Sequence, residues 1–330
     1  FKGNDGGSGI TALTLDMSEA GAASFNSTIN GVGISSNISN FSQSILISND
    51  AGTGTLDAAS NNTGLGFEVF DDLTSGDNNT GVGSGALSKV TTGSSNTAVG
   101  YLALEDHTTG TNNVAVGKDA LRTNTTGTGN VSIGANSLEN NTTADSNTAV
   151  GNAALLANTT GASNVAVGKS SLTANTTASN NTAVGESSLK SNTDGHSNTG
   201  IGLAALEENT TADANTGIGF KALNKNTTAS NNTAVGASAL KLNTTGDQLT
   251  AVGALALDAN TTGTRNTAVG VEALSANTTA DNNTAVGHTA LAVNTTGTAN
   301  VAVGYAALDA NVTNSHNTAV GTNALSASVA

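Results

Sequence analysis

The sequence contains no cysteine, no proline and no tryptophan, and aromatic residues make up only 2% of its 330 residues. Without cysteine, disulfides and thiolate metal sites are excluded, and the redox compartment is not indicated. With so few aromatic side chains, the packed core of an ordinary enzyme is not expected. No apolar run approaches the roughly 18 residues that a membrane-spanning helix needs. The chain opens on Phe1 rather than Met, so we expect it to be a piece of a longer protein.

Charge is also scarce, and it is strongly one-sided. Charged residues make up 10% of the chain, and 24 acidic residues against 10 Lys and Arg give a net charge of −14. This negative excess disfavours nucleic acid and anionic membrane surfaces as partners. We therefore expect no nucleic-acid partner and no membrane insertion for this segment.

What the sequence does contain is one stretch of 17 residues that occurs sixteen times. A clean copy runs from Asn266 to Asn282, and copies begin at every seventeenth residue from Asn62 to Asn317 without a slip. A fixed period of this size is typical of a stacked array, which lengthens without building a larger globular core. We expect an irregular β connector or cap over residues 1–61 and a β-solenoid array over 62–330, its last repeat truncated.

The repeat has a strict pattern when its positions are numbered 1 to 17. Position 1 is Asn except at Leu249, position 2 is Thr or Val, position 3 is Ala, Gly or Ser, and position 4 is Val, Ile or Leu. Position 5 is always Gly, and position 9 is Leu except at Phe70. Position 12 is Asn in the twelve successive copies from Asn124 to Asn311, usually followed by Thr-Thr and then Gly or Ala.

These residues predict one short strand and several turns in each coil. The β-branched residues at positions 2 and 4 favour a strand and share one of its faces, which we expect to be the core face together with the Leu at position 9. Glycine at position 5 permits a turn that other residues resist, and the Asn-Thr-Thr-Gly stretch closes the coil as a turn. The predicted turn glycines include Gly100, Gly117, Gly185, Gly236 and Gly304, and the predicted core includes Val99, Leu104, Val184, Leu189, Val235 and Leu240.

The predicted fold class is all-β: a parallel β-solenoid or β-roll of 17-residue coils, with one strand per coil. Helical repeats of this length are the alternative, but Gly, Thr, Asn and β-branched residues are poor helix formers. Two large apolar side chains per coil stabilise it too little to offset the ordering of 17 residues, so we expect a partner chain, most simply in a homotrimer. The small residue at position 3 then has two interpretations. It allows chains to approach a common axis, or it faces a tight interior corner of a monomeric solenoid.

Residues 1–61 do not follow the period, but three stretches are strand candidates. They are Ile10–Met17, Ala22–Asn26 and Ser44–Ser48, with Gly and Asn between them. A terminal unit of a solenoid is normally atypical because one face has no neighbour to stack on.

We find no pattern that indicates catalysis, a cofactor or a metal. The four His residues fall at different positions of the repeat, so stacking does not align them. Acidic pairs occur at the variable positions 10 and 11, where a solvated edge is expected, and no insertion interrupts the period to build a groove for two catalytic carboxylates. Asn-Thr-Thr matches the glycosylation sequon in many copies, but the coil turn already explains its placement. The four histidines are His107, His196, His288 and His316, and the acidic pairs are Glu105–Asp106 and Glu207–Glu208.

The stretch Asn-Thr-Ala-Val-Gly-x-x-Ala-Leu resembles the repeat of trimeric autotransporter adhesin heads, most closely in the copies that begin at Asn113 and Asn300. The resemblance implies a left-handed parallel β-roll in which three chains wrap one axis. The chain departs from it by its longer, 17-residue unit and by the Asn-Thr-Thr-Gly insert. The opening, from Gly6-Gly7 through Leu15-Asp16-Met17 to Phe25-Asn26, resembles a segment that precedes such repeats in the tail fibres of marine tailed phages.

The leading functional hypothesis is a structural protein: the shaft of a trimeric viral tail fibre involved in host attachment. It would lie outside the cell on a virion tail, with a host surface receptor, glycan or protein, as its other partner. The alternative is a bacterial surface adhesin or extracellular filament built from the same repeat. Ice binding through the Thr residues at positions 13 and 14 is a third possibility. Adjacent residues of a strand face opposite sides, however, which prevents one flat array.

Overall fold

The computed structural model describes residues 2–5, 8–11, 14–15, 23–24, 33–38, 41–48 and 58–326. In these segments the regular elements are all β-strands. They are β1 Lys2–Asp5, β2 Ser8–Thr11, β3 Thr14–Leu15, β4 Ala23–Ser24, β5 Gly33–Ile38, β6 Phe41–Ser48, β7 Ala59–Ser60, β8 Thr63–Leu65, β9 Thr80–Val82, β10 Thr97–Val99, β11 Val114–Val116, β12 Val131–Ile133, β13 Thr148–Val150, β14 Val165–Val167, β15 Thr182–Val184, β16 Thr199–Ile201, β17 Thr216–Ile218, β18 Thr233–Val235, β19 Thr250–Val252, β20 Thr267–Val269, β21 Thr284–Val286, β22 Val301–Val303 and β23 Thr318–Val320.

The strands β8 to β23 form one parallel ladder with one strand per coil. Each covers positions 2 to 4 of its repeat and pairs with the same positions of the next, as Ala98 does with Ala115. The strand β6 joins the front of the ladder in the same sense, with Ile45 opposite Thr63. The result is a parallel sheet of 17 strands in a β-solenoid, which confirms the predicted fold class and period.

The N-terminal strands pair differently. Antiparallel pairs join β1 to β2, β3 to β4 and β5 to β6. Of the predicted strands, Ser44–Ser48 lies within β6. Within Ile10–Met17, residues 10–11 belong to β2 and 14–15 to β3, and residues 12–13 and 16 lie outside the described residues. Met17 lies outside the described residues, as does most of the predicted strand Ala22–Asn26 beyond β4. Because β6 precedes residue 62 yet continues the parallel ladder, the stack begins before the first repeat.

The core of the coils is narrow, and the prediction for row 4 (the residues at position 4 of all coils) is wrong. Leu104 at position 9 is fully buried, as predicted, but Val99 at position 4 is 37% exposed and lies on the outer face. The residue between the two β-branched positions, such as Ala98, is the one that points inside. The same division holds for the other predicted core residues: Leu189 and Leu240 are buried, whereas Val184 and Val235 are only half-buried.

Packing explains why position 3 is always small. A Cβ built on Gly217 would lie 3.2 Å from Cγ of Leu206, the position 9 leucine of the preceding coil. That distance is already tight, so a side chain longer than Ala or Ser finds no room beside the leucine row. Position 3 therefore faces a tight interior corner of the coil, and its small size does not indicate close approach between chains.

Four residues in each coil have positive φ angles. Glycine at position 5 has φ +144° at Gly100, and positions 7, 9 and 17 are left-handed, as at Leu102 (φ 55°), Leu104 (φ 53°) and Asn112 (φ 59°). Leucine rarely adopts this conformation. Hydrogen bonds between coils hold it there: the N–H of Leu104 donates to the carbonyl of Ala120 in the next coil at 3.1 Å.

Two rows of buried asparagine fasten the coils internally. In the coil from 130 to 146, Nδ2 of Asn130 and Nδ2 of Asn141 both donate to the carbonyl of Ala144, at 2.8 and 3.1 Å. The amide of Asn141 also donates to Oδ1 of Asn124 in the preceding coil at 2.8 Å. Oδ1 of Asn113 accepts the backbone N–H of Asn130 at 2.9 Å. Each of these asparagines thus closes its own coil and joins it to a neighbour. Among the described residues, Oδ1 of Asn311 is the one buried side-chain oxygen of these two rows that has no hydrogen-bond partner.

Two further rows of hydrogen bonds lie nearer the surface. At position 13, Oγ1 of Thr125 donates to the carbonyl of Thr142 at 3.0 Å. At position 16, the backbone N–H of Thr128 donates to Oδ1 of Asp145 at 2.7 Å. Both contacts recur along the array, so side chains as well as strands connect successive coils.

Candidate interaction surface

The outer face of the parallel sheet carries rows 2 and 4 (all residues at positions 2 and 4). These rows contain only Thr, Val, Ile and Leu, without a charged residue in any copy. Row 4 side chains lie next to one another because the strands pair in register. The exposed members of row 4 are Leu65, Val99, Val116, Ile133, Ile201, Ile218, Val252, Val269, Val286 and Val320.

Row 4 is apolar in every coil, whereas row 2 is Thr in twelve of the sixteen coils. A continuous apolar row of this kind is unusual on the surface of a soluble monomer. Sixteen coils at a strand spacing of ~4.8 Å make a strip about 75 Å long. Its backbone is fixed at both sides, by the buried asparagine of position 1 and by the glycine turn of position 5. The strip is therefore a rigid and regular surface.

The predicted turn glycines all have positive φ, between 130° and 144°. At Gly185 a Cβ would meet the carbonyl oxygen of Gly202 at 2.5 Å, so position 5 excludes side chains by both conformation and space. These glycines end the outer strip and direct position 6 away from the sheet. They are Gly100, Gly117, Gly185, Gly236 and Gly304.

Position 6 is variable, and it holds most of the aromatic residues of the array. Residues 62–330 contain five Phe and Tyr residues, of which only Phe70 is buried. The other four all stand at position 6 and are exposed: Phe67, Tyr101, Phe220 and Tyr305. The rings of His288 and Tyr305, in adjacent coils, stack with centroids 5.6 Å apart and planes 11° apart.

Shallow grooves run between coils beside this row. One, of about 300 Å³, is lined by Glu186, Ser187, Leu203, Ala204, Glu207 and Lys221. A second, of about 320 Å³, is lined by Leu255, Asp258, Glu272, Ser275 and Ala276. Burial, with a smaller contribution from Glu272, raises the pKa of Asp258. The sequence did not predict these grooves, because the side chains of several coils form them without any insertion.

The acidic pairs predicted from the sequence do lie at the surface, but all four carboxylates have partners in adjacent coils. Glu105 accepts from Nε of Arg122 at 2.8 Å, and Asp106 lies 2.5 Å from Nζ of Lys89. Glu207 accepts from Nδ2 of Asn224 at 3.0 Å, and Glu208 pairs with Lys225. Such bridges connect neighbouring coils and contribute little stability at an exposed edge.

The structure separates the four histidines, as their positions in the repeat predict. His196, His288 and His316 are exposed, whereas His107 is fully buried at position 12. Nε2 of His107 is 2.8 Å from the carbonyl oxygen of Gly110, and its Nδ1 is 3.2 Å from Nδ2 of Asn124. Burial lowers the pKa of His107, against the two backbone carbonyls that raise it. Within the described residues no group of three or more His, Asp or Glu is placed to hold a metal ion.

The sequon asparagines at position 12 are buried and hydrogen-bonded on both sides, as Asn158 is with Asn141 and Gly161. The folded array therefore offers none of them to a glycosyltransferase. Of the two threonines that follow, the first donates its hydroxyl to a backbone carbonyl and the second is exposed, as at Thr159 and Thr160. Of these two threonine rows, only the second is exposed to solvent.

No helix among the residues placed by the structure is long and apolar enough to cross a membrane. Comparison with models of protein families, with curated proteins and with solved structures finds no match to this chain. The fold itself defines the class of protein: a β-solenoid repeat protein of 17-residue coils, an architecture consistent with fibre-like repeat proteins.

Proposed function

We propose that the chain is the structural shaft of a trimeric fibre, and specifically of a viral tail fibre that takes part in host attachment outside the cell. A stack in which every coil contacts mainly its neighbours provides length at constant cross-section. The continuous ladder from β6 to β23 is the observation that supports this role. The resemblance of the opening segment to phage tail fibres supports the viral assignment.

The outer strip of rows 2 and 4 is the surface that supports a homotrimer. A strip about 75 Å long and about 10 Å wide offers about 750 Å² per chain, close to the roughly 800 Å² per partner of a stable interface. It carries no charge in any coil, as the core of an interface requires. The position 3 residues proposed for this contact on sequence grounds, such as Ala149, Ala183 and Ala234, lie inside the coil and cannot make it.

The second candidate is a bacterial surface adhesin or extracellular filament. The copies that begin at Asn113 and Asn300, which resemble adhesin head repeats, support it. In either case the net charge of −14 disfavours nucleic acid, and the other partner is a host surface receptor, glycan or protein. The full reading frame separates the two candidates: neighbouring virion genes favour the fibre, and a C-terminal membrane anchor favours the adhesin.

The trimer is tested by measuring the mass in solution at micromolar concentration. We expect three times the chain mass of 32.0 kDa. Replacing Ile201, Ile218 and Val235 of row 4 with Lys should give a folded monomer, because three buried charges would have no partners.

The matched control places three Lys residues in the same coils at the exposed position 14, replacing Thr211, Thr228 and Thr245. This variant should remain trimeric. A parent protein that runs as a monomer would overturn the trimer, and equal dissociation of both variants would overturn the role of row 4.

A further inference from the structure

The concentration of aromatic residues at position 6 does not follow from the fold. The position accepts Ala, Ser, Thr, Asn, Lys and Glu in other coils, so no packing requirement selects a ring there. Yet four of the five Phe and Tyr residues of residues 62–330 stand at this one position, all with exposed rings. Exposed aromatic side chains at a restricted place are typical of binding surfaces.

Phe220 is the exposed ring with the best-formed surroundings. Its ring is 51% exposed, and Nζ of Lys221 lies 5.3 Å from the ring centroid. Lys221 also lines the groove of about 300 Å³. Phe220 is not itself a lining residue, and its contact with Lys221 connects the ring to the groove. Leu203, exposed at position 6 of the preceding coil, adds an apolar wall.

Of the two carboxylates of this groove, that of Glu207 is held in place by a hydrogen bond. Nδ2 of Asn224, a residue only 4% exposed, donates to Oε2 of Glu207 and to the carbonyl of Ala204, both at 3.0 Å. Glu186, on the other side, lies 3.6 Å from Nζ of Lys169. One oriented acceptor (Glu207), a more exposed carboxylate (Glu186) and the Lys221 ammonium thus surround an apolar wall, as in sites that bind small polar ligands.

A saccharide fits this combination better than a second copy of the chain. Row 6 includes Lys118, Lys169 and Glu186 between its aromatic residues, and charges of this kind are depleted from the core of a protein interface. A hexose ring has one face of C–H groups, which packs on an aromatic ring, and a rim of hydroxyls, which need donors and acceptors. Two carboxylates and a net charge of −14 disfavour sulfated and uronic acid sugars.

We propose that the groove between Glu186 and Lys221, with Phe220 at its edge, binds a neutral hexose unit of a surface glycan. The sugar ring packs on Phe220 and Leu203, its hydroxyls donate to the carboxylates of Glu186 and Glu207, and Lys221 donates to a sugar oxygen. This assignment deepens the proposed attachment function by giving the shaft its own receptor contact.

The experiment is saturation-transfer NMR on the intact protein with millimolar maltohexaose, cellohexaose and mannohexaose as neutral probes and hexagalacturonate as the acidic control. We expect transfer to the sugar-ring protons of at least one neutral probe and none to hexagalacturonate. Phe220→Ala and Glu207→Gln should each weaken binding of that probe at least tenfold. Phe67→Ala, which removes an exposed ring of the same row outside the groove, should leave it unchanged.

Absence of transfer to all three neutral probes overturns the proposal. Equal loss in Phe67→Ala, or preference for hexagalacturonate, also overturns it. The mass of each sample is measured in parallel, so a trimer that binds no hexose removes the groove proposal and leaves the fibre. A monomer that binds a hexose overturns the trimer and leaves the groove proposal in place.

Discussion

Nδ2 of Asn209 lies 2.8 Å from Oδ1 of Asn192 in the preceding coil, while Oδ1 of Asn209 accepts from Nδ2 of Asn226 in the next coil at 2.9 Å. This pair is one step of a buried amide row that runs through position 12 of the array. The same amide of Asn209 donates to the carbonyl of Ala212 within its own coil at 3.1 Å. The interior of the solenoid therefore combines this row of polar bonds with the buried leucines and alanines of positions 9, 8 and 3.

Breaking this row should destabilise the array. Asn209→Leu removes three hydrogen bonds. It leaves the buried Oδ1 of Asn192 unpaired, at about 1–3 kcal/mol, while Nδ2 of Asn226 keeps only its bond to the carbonyl of Ala229. We expect the free energy of unfolding, measured by urea denaturation with circular dichroism, to fall by about 2–4 kcal/mol. The control Thr211→Leu, at an exposed position of the same coil, should change it by less than ~0.5 kcal/mol. Equal midpoints for the two variants would show that the amide row is dispensable.

The glycines of position 5 should resist even the smallest side chain. Gly185→Ala places its Cβ 2.5 Å from the carbonyl oxygen of Gly202 and forces φ +130° on a residue with a side chain. Gly321, in the last coil, has nearly the same φ, +128°, but a Cβ there meets no atom closer than 3.9 Å. Gly321→Ala therefore measures the conformational strain alone, about 1–3 kcal/mol.

We expect Gly185→Ala to lower the free energy of unfolding beyond Gly321→Ala, because it adds a backbone clash that only a shift of the coil relieves. Thermal unfolding followed by circular dichroism compares the two. If both melt together, crowding between coils is not what fixes glycine at this position.

The period, the strand position and the turn glycine could be predicted because each repeats without exception. Glycine in all sixteen copies indicates a required backbone conformation, and β-branched residues at positions 2 and 4 locate the strand. The prediction assigns the two faces of the strand the wrong way round, however, because it places the large apolar residues of position 4 in the core. In a coil this narrow the leucine of position 9 already fills it, as Leu206 does beside Gly217.

The limit on side-chain size at each position indicates which face of the strand is buried. Position 3 never exceeds Ser, whereas position 4 accepts Val, Ile and Leu, so the stricter limit marked the buried row. The left-handed leucines, such as Leu104, could not be predicted, since leucine disfavours that conformation and only contacts between coils stabilise it. The groove at Glu186 and Lys221 was missed for a related reason: its residues come from three coils and occupy variable positions.

The assignment of position 3 to the core, and of positions 2 and 4 to the outer face, can be tested directly. Ala183→Gln should unfold the middle of the array, because a longer polar side chain has no room and no partner beside the leucine row. Thr182→Gln, one residue earlier on the outer face, should be tolerated when it is made in the monomeric variant that carries lysines in row 4. We expect the melting temperature of the first variant to fall by several degrees more than that of the second. The opposite order would restore the assignment of position 4 to the core.

The neutral ring of His107 takes the place of an asparagine at position 12. Its Nε2 must donate, because the carbonyl of Gly110 lies 2.8 Å away, and its Nδ1 then accepts from Nδ2 of Asn124 at 3.2 Å. These are the two roles that Nδ2 and Oδ1 serve in the coils that follow. Protonation of Nδ1 turns it toward the carbonyl of Asn124, also at 3.2 Å, and displaces the amide donor.

Stability should therefore fall on mild acidification. Because burial lowers the pKa of His107 in the folded protein below its ordinary 6.5, the unfolded chain binds the proton more readily. The contribution of His107 is fully present above pH 6.5 and is lost as the pH falls through 6.5 toward the lower folded pKa, with a slope of up to about 1.4 kcal/mol per pH unit.

His107→Asn keeps a donor for Gly110 and an acceptor for Asn124 but does not titrate, so the difference between its pH profile and that of the parent isolates this group. His288→Asn, which changes an exposed ring, should keep the parent's acid loss. Urea midpoints between pH 5 and 8 that decline equally in His107→Asn and the parent would show that His107 does not carry the effect.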